Sequence, residues 1–313
     1  MTIVDFRFRL DWKSQAFGKY SQIYNRQSTI VNLQSSIKYR LVKLNHPFTL
    51  GVKITYTMKH LLLLLCALAF TSATLAPKRE YYEIKVYHIG SKQQEERVDR
   101  FLKDAYLPAL HRAGISKVGV FKPVETDTVH YGKRIFVFIP YASLDQFGKL
   151  NETLQKDKQY ETAGADYLNA VYTDLPYVRL ESILLQAFTG MPQLEVPKFK
   201  SEVGERIYEL RSYEGHTEKI SKNKVKMFND GDEVGLFKRL GFNAVFYAEV
   251  IAGSRMPNLM YMTTFENKAS RDEHWKAFSA DPQWKTLSGM SEYKNNVSKI
   301  DIYFLHASSY SDI

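Results

Sequence analysis

From Arg79 onward, apolar and polar positions repeat with two periods, and the alternation between them predicts the elements. Short stretches alternate with period two, as a half-buried strand does, at roughly 80–88, 117–125, 133–140 and 177–188. Between them, near 92–113 and 143–171, apolar residues return every three or four positions; Val98, Phe101, Leu102 and Ala105 are one such stripe. Pro108 should kink or break the first of these helices. The same order then recurs, with strands near 205–213, 242–251, 258–266 and 297–307 and helices near 217–240 and 268–289, the first of these helices interrupted at Asn229-Asp230-Gly231.

The recurrence extends to individual residues. "REYYEIKVY" (Arg79 to Tyr87) parallels "ERIYELRSY" (Glu205 to Tyr213), and "LHRAGISKVGVF" (Leu110 to Phe121) parallels "LFKRLGFNAVFY" (Leu236 to Tyr247). Gly114 and Gly241 stand at matching places, where a helix commonly stops on a residue with positive φ. Each copy reads strand, helix, strand, strand, helix, strand. The predicted fold class is therefore α+β: a tandem of duplicated ferredoxin-like βαββαβ units, each an antiparallel sheet with helices on one face. The first unit is set at 77–188, a Pro-containing linker at 189–204 and the second unit at 205–313.

Helices on one face leave the other face bare. In the first strands, Tyr82, Ile84 and Val86 (and Tyr208, Leu210 and Ser212) form the more apolar set and are expected beneath the helices. The opposite set then forms the bare face, with Glu83, Lys85 and Tyr87 in one copy and Glu209, Arg211 and Tyr213 in the other. Two such faces, packed together within one chain or across a homodimer, would enclose a polar and aromatic barrel interior in which each Glu needs a nearby base. These six residues are the candidate ligand pocket. A buried Glu beside a Tyr can shuttle a proton and an Arg can hold an anion, although a structural ion-pair network is the simpler use of the same residues.

The segment before this repeat changes the picture. "MKHLLLLLCALAFTSATLA", from Met58, has a basic start, ten apolar residues from Leu61 to Phe70 and small residues around Ala73 and Ala76, which is the layout of a secretory signal peptide at 58–76. Its apolar run is too short to span a bilayer. Translation starting at Met58 would make residues 1–57 an upstream extension without a fold, and the mature protein periplasmic or extracellular. The net charge of +9 supports that division. The first 57 residues hold nine basic and two acidic residues, and Lys59 adds one charge, so residues 77–313 carry only +1. No nucleic-acid partner is expected of so neutral a chain, nor any membrane span in it. Cys66, the single cysteine, lies in the leader after Leu65, where a lipoprotein signal needs a small residue. The mature chain would thus have no disulfide, no lipid anchor and no Cys-based metal site.

Motif chemistry is sparse. No His-Glu-x-x-His, Gly-x-Ser-x-Gly, phosphate-binding glycine loop or paired His spacing occurs, so no metal site and no cofactor is predicted. His88 and His216 lie just beyond the paired first strands, near a barrel mouth, and read as loop histidines ahead of metal or haem ligands. Met256, Met260 and Met262 read as core. Ser221-Lys222-Asn223-Lys224 fits Ser-x-x-Lys but lies in a lysine-rich helix, where so short a pattern carries no weight.

"MPNLMYMTTFENKASRDEHWKAFSADPQWKTL" (Met256 to Leu287), with "YELRSY" upstream and "VSKIDIYFL" (Val297 to Leu305) downstream, resembles the C-terminal half of NIPSNAP-family proteins. The resemblance implies the dimeric α/β-barrel superfamily and a family activity that is largely undefined. It also implies kinship with small monooxygenases and haem-modifying enzymes, none of which the residue pattern selects. Within this run Asp281-Pro282 is a helix start, so Trp275 and Trp284 flank a break between two helices. Trp275 shares a face with Phe278, and that face serves to dock a helix on the sheet rather than to line a cavity. Two functions are carried forward: an exported module that binds a small, partly apolar molecule in its barrel, and a cofactor-free oxygenase or isomerase in which Glu209, Arg211 and Tyr213 position the substrate. A large closed cavity holding an unpaired Glu or His would favour the enzyme.

Overall fold

A computed structural model describes residues 78–313. The expected upstream extension, the leader at 58–76 and Cys66 lie outside the described residues. Both copies of the repeat form the predicted order. The first contains β1 (Tyr81–His88), α1 (Lys92–Phe101), a π-helical segment (Leu102–Tyr106), α2 (Leu107–Arg112), β2 (Gly119–Pro123), β3 (Arg134–Tyr141), α3 (Leu144–Gln155), α4 (Lys158–Ala163), α5 (Ala165–Leu168) and β4 (Arg179–Ala187). The second contains β5 (Ile207–Glu214), α6 (Glu218–Asn229), α7 (Glu233–Arg239), β6 (Ala244–Ala252), β7 (Asn258–Phe265), α8 (Lys268–Ala280), α9 (Pro282–Gly289) and β8 (Lys299–Ala307).

Local chemistry sets the element ends, often at matching places in the two units. Ser91 and Thr217 cap α1 and α6 by accepting the backbone N–H of Gln94 and Ile220, and Ser143 and Asn267 do the same for α3 and α8. Asp281 caps α9 ahead of Pro282. Gly114 and Gly241 follow α2 and α7 at φ +77° and +75°, a conformation that a side chain would strain. Pro108 neither breaks nor ends its helix. It lacks an N–H and crowds the carbonyl four residues back, and the wider turn before it, where the Leu107 N–H reaches the Leu102 carbonyl, makes room. The single helix expected at 143–171 is instead three pieces, because Asp157 caps a new start by accepting the N–H groups of Gln159 and Tyr160.

The eight strands close into one antiparallel barrel in the order β1-β3-β2-β8-β5-β7-β6-β4. Each unit supplies four neighbouring strands, and the seams are β2 with β8 and β4 with β6. Closure within one chain thus supplies what a second subunit would otherwise provide, and it leaves no strand edge unpaired. β-bulges near Leu184 and Ala244 help turn the sheet at the β4–β6 side.

The two sheet faces are used in the reverse of the predicted sense. Tyr82, Ile84, Val86, Tyr208 and Leu210 point into the barrel, where they share one core with Phe121, Phe138, Phe246 and Met262 from both units. Phe246 packs on Tyr82 and Phe138 at ring-centroid distances of 5.4 and 4.8 Å, and Phe121 on Tyr208 at 4.8 Å. Glu83, Lys85, Tyr87, Glu209, Arg211 and Tyr213 lie instead beneath the helices, with Tyr87 in the helix-covered core of the first unit and Tyr213 in that of the second. The closed interior is filled by strand side chains with the apolar Leu194 and Ile313, so it takes the more apolar set. The helix side can bring Arg and Trp side chains to a carboxylate. Met260 and Met262 fill the core as expected, while Met256 is half exposed in the β6–β7 loop. No helix among the described residues is long and apolar enough to cross a membrane.

Phe246→Ala opens a void where the two units meet. It is expected to lower unfolding stability by about 3–5 kcal/mol, read from the midpoint shift in urea denaturation.

Candidate functional site

The structure keeps the sequence-selected residues together within each unit but spends them on one another. Glu83 accepts hydrogen bonds from Tyr141 Oη at 2.9 Å and Ser182 Oγ at 2.6 Å, with Lys85 Nζ at 3.4 Å. Tyr87 packs edge-on against Tyr167 and Tyr177, and burial pushes its hydroxyl pKa far up. In the second unit Glu209 is fully buried and receives three side chains. Arg211 donates from Nε at 2.7 Å, Arg271 from Nε at 2.7 Å and Nη2 at 2.8 Å, and Trp275 from Nε1 at 2.8 Å. The Arg211 guanidinium lies 3.7 Å from the Trp275 ring centroid and donates on to Tyr213 Oη at 2.9 Å, which in turn meets Tyr261 Oη at 2.8 Å.

Burial alone would push the Glu209 carboxyl up, but its bonds to Arg271 and the charges of Arg211 and Arg271 outweigh that and hold it below the ordinary value of 4.5. Arg271 and Trp275, both on α8, were missed as partners. A pattern is available, since they stand four apart and so share a helical face, but the sequence reading puts that helix over the opposite strand face. Trp275 is thereby an anchor of α8 that also serves the carboxylate. Trp284 packs at 4.4 Å on Phe278, which stacks on Phe237 at 4.7 Å.

A second group converges at the barrel mouth, where β1 and β5 end and β3, β4, β7 and β8 begin. A cavity of about 180 Å³ opens there, and none of the six sequence-selected residues lines it. Its floor is apolar, formed by Val86, Phe136, Ile183, Val250 and Met260. Strand register builds the polar rim above this floor. His88 lies opposite Arg134, and Glu181 opposite Val86; in the second unit Glu214 lies opposite Asn258, and Asp301 opposite Ser212. The two sets occupy matching positions in the repeat but hold different residues, so the mouth is symmetric in backbone and asymmetric in chemistry.

His88 Nε2 contacts Glu181 Oε1, and Arg255 from the β6–β7 loop bonds both Glu214 and Asp301. His130, from the corresponding β2–β3 loop, is held by Asp127 at 2.9 Å and packs edge-on against Tyr303 at 5.2 Å. Ser212 and Asn258 bond each other at 2.9 Å. Arg134 donates one N–H to the Lys133 carbonyl at 2.8 Å. His88 lines the mouth as expected, but as the last residue of β1 and not as a loop histidine, whereas His216 is exposed beyond β5 and away from the cavity. Among the described residues no cluster of three or more His, Cys, Asp or Glu is arranged to hold a metal ion.

An eight-stranded antiparallel barrel made from two ferredoxin-like units, with one mouth open over an apolar floor, defines the class as α/β-barrel proteins of the dimeric type, here closed within one chain. Residues 208–312 match the NIPSNAP family model, so the second unit is a NIPSNAP domain. The sequence matches none of the curated proteins. Among solved structures, a proposed monooxygenase from Lactobacillus acidophilus aligns at 10% identity over 74% of this chain and 94% of that one, with a TM-score of 0.48. A NIPSNAP-like domain protein from Burkholderia xenovorans aligns at 14% identity over 34% and 90%, with a TM-score of 0.31. A NIPSNAP family protein from Agrobacterium tumefaciens aligns at 15% identity over 37% and 98%, also at 0.31. These likenesses assign no chemistry.

Glu209→Gln leaves the buried Arg211 and the partly buried Arg271 without their counter-charge and is expected to cost about 3–5 kcal/mol of stability at neutral pH. Because the folded carboxyl is held below its unfolded value, its contribution is complete above about pH 4.5 and is lost as pH falls through the lower folded value. Urea titrations from pH 7 to 3 should show the difference between wild type and variant shrinking toward acid.

Proposed function

We propose that this protein binds a small, partly apolar molecule at the mouth of its barrel. The observation that carries this reading is the 180 Å³ cavity, which sets an apolar floor under a polar rim drawn from both units. The centre of the barrel is filled by Tyr82, Phe121, Phe138, Tyr208 and Phe246, so a ligand would sit above this aromatic plug and not deep in the interior. The volume lies below the range of about 300–1,000 Å³ typical of drug-sized ligands and suits a smaller molecule.

An oxygenase or isomerase working through Glu209, Arg211 and Tyr213 would need its substrate beneath the helices of the second unit. There the hydrogen bonds of all three are already made to Arg271, Trp275, Tyr261 and one another. Both histidines at the cavity, His88 and His130, also have carboxylate partners, Glu181 and Asp127. Binding therefore remains the favoured reading. Export to the periplasm or medium belongs to the same proposal and rests on the sequence of residues 58–76 alone.

Ile183→Trp extends a ring into the cavity from the floor. In a ¹⁹F NMR screen of small fluorinated aromatic acids, amides, amines and alcohols, wild-type protein should give mutually competing hits that the variant loses, with melting temperatures within a few degrees. Hits that persist in the variant would place binding elsewhere.

A further inference from the structure

Charge at the mouth is matched almost completely. Glu181 has His88, Glu214 and Asp301 share Arg255, Lys299 stands 3.6 Å from Asp301, and Asp127 holds His130. Among the charged residues that line the cavity Arg134 is the exception, since no carboxylate among the described residues pairs with it; Arg179, opposite His88 at the start of β4, is also without a carboxylate among them but does not line the cavity. A guanidinium offers five N–H donors in a planar fork, and the Lys133 carbonyl takes one. The side chain is partly buried at the cavity wall, on the inward-facing row of β3 above Phe136 and Phe138. Its remaining donors therefore face a space whose floor is apolar and whose carboxylates are already neutralised.

We infer that the mouth cavity selects a small carboxylic acid, its carboxylate held in a forked contact by Arg134 and its hydrocarbon body lying on Val86, Phe136, Ile183, Val250 and Met260. This deepens the proposed ligand-binding function and rests on it. Three features set the selection. A carboxylate matches the fork of a guanidinium, and a neutral amide of the same shape can accept only part of that set. An amine would meet the unmatched positive charge of Arg134 while finding each nearby carboxylate engaged. The aromatic plug of Tyr82, Phe138 and Phe246 below the floor limits the body to a short chain or a single ring.

The test uses hexanoate, hexanamide and hexylamine as probes, with affinities from calorimetry and from chemical-shift titration of the purified protein. Wild type is expected to prefer hexanoate to hexanamide by about tenfold or more, as a charge-assisted bidentate contact does. Arg134→Gln should remove that preference and weaken hexanoate about 10- to 100-fold while weakening hexanamide far less, and the retained amide binding also reports an intact pocket. Arg134→Lys should restore part of the preference. Equal binding of acid and amide to wild type, a preference that survives Arg134→Gln, or tighter binding of hexylamine would overturn the carboxylate assignment and leave the pocket standing. Failure of all three probes to bind wild type would overturn both readings.

Discussion

The structure depends on one constraint: each four-stranded unit has an aromatic sheet face that its own helices do not cover. Burying a large aromatic side chain is worth several times the thermal energy, so a face carrying Tyr82, Phe121 and Phe138 cannot be left in water without a large penalty. The second unit brings a like face in Tyr208, Phe246 and Met262, and the pairing of β2 with β8 and of β4 with β6 closes the two over a single core. Because both units belong to one chain, closure needs no second molecule.

That closure dictates where charge resides. The barrel interior is lined by strand side chains together with Leu194 and Ile313, all apolar neighbours for a carboxylate placed among them, which would have to find its partner on the opposite wall. Beneath the helices the geometry is more accommodating. Lys85 and Ser182 on the neighbouring sheet positions, with Tyr141 beside them, satisfy Glu83 in the first unit. In the second unit α8 adds Arg271 and Trp275 to Arg211 around Glu209. The two arrangements solve one problem with different residues, and the second is the more heavily charged. It ties α8 to β5 by side-chain bonds that no apolar contact could replace without leaving a guanidinium stranded.

Duplication also accounts for the character of the mouth. Both units present their strand ends to the same opening, since β1 and β5 run in the same direction around the closed barrel. A single ancestral unit used twice would give a symmetric opening. Divergence at matched positions, His88 against Glu214, Arg134 against Asn258 and Glu181 against Asp301, has made one side a mixed polar rim and the other a closed ion cluster under Arg255. The two sides of the opening therefore present different chemistry to one shared cavity.

Much of this was present in the sequence by itself. The βαββαβ order, its repetition, the Asp281-Pro282 helix start and the two helix-ending glycines follow from local propensity and spacing, which neighbouring residues decide. So did the coupling of Glu209, Arg211 and Tyr213 and the docking role of Trp275, although not their true side of the sheet. Alternation reveals that a strand has two faces, but it does not say which one a helix will cover when both are aromatic; that choice was made by the closure of two units on each other. Packing of α8 on its own unit's sheet brought Arg271 to Glu209 across 62 positions, and closure of the two units gathered His88, Arg134 and Arg255 around one cavity. Contacts between residues so far apart in the chain have no local signal, because the interactions that fix them exist only once helices have docked on their sheet and the two units have met.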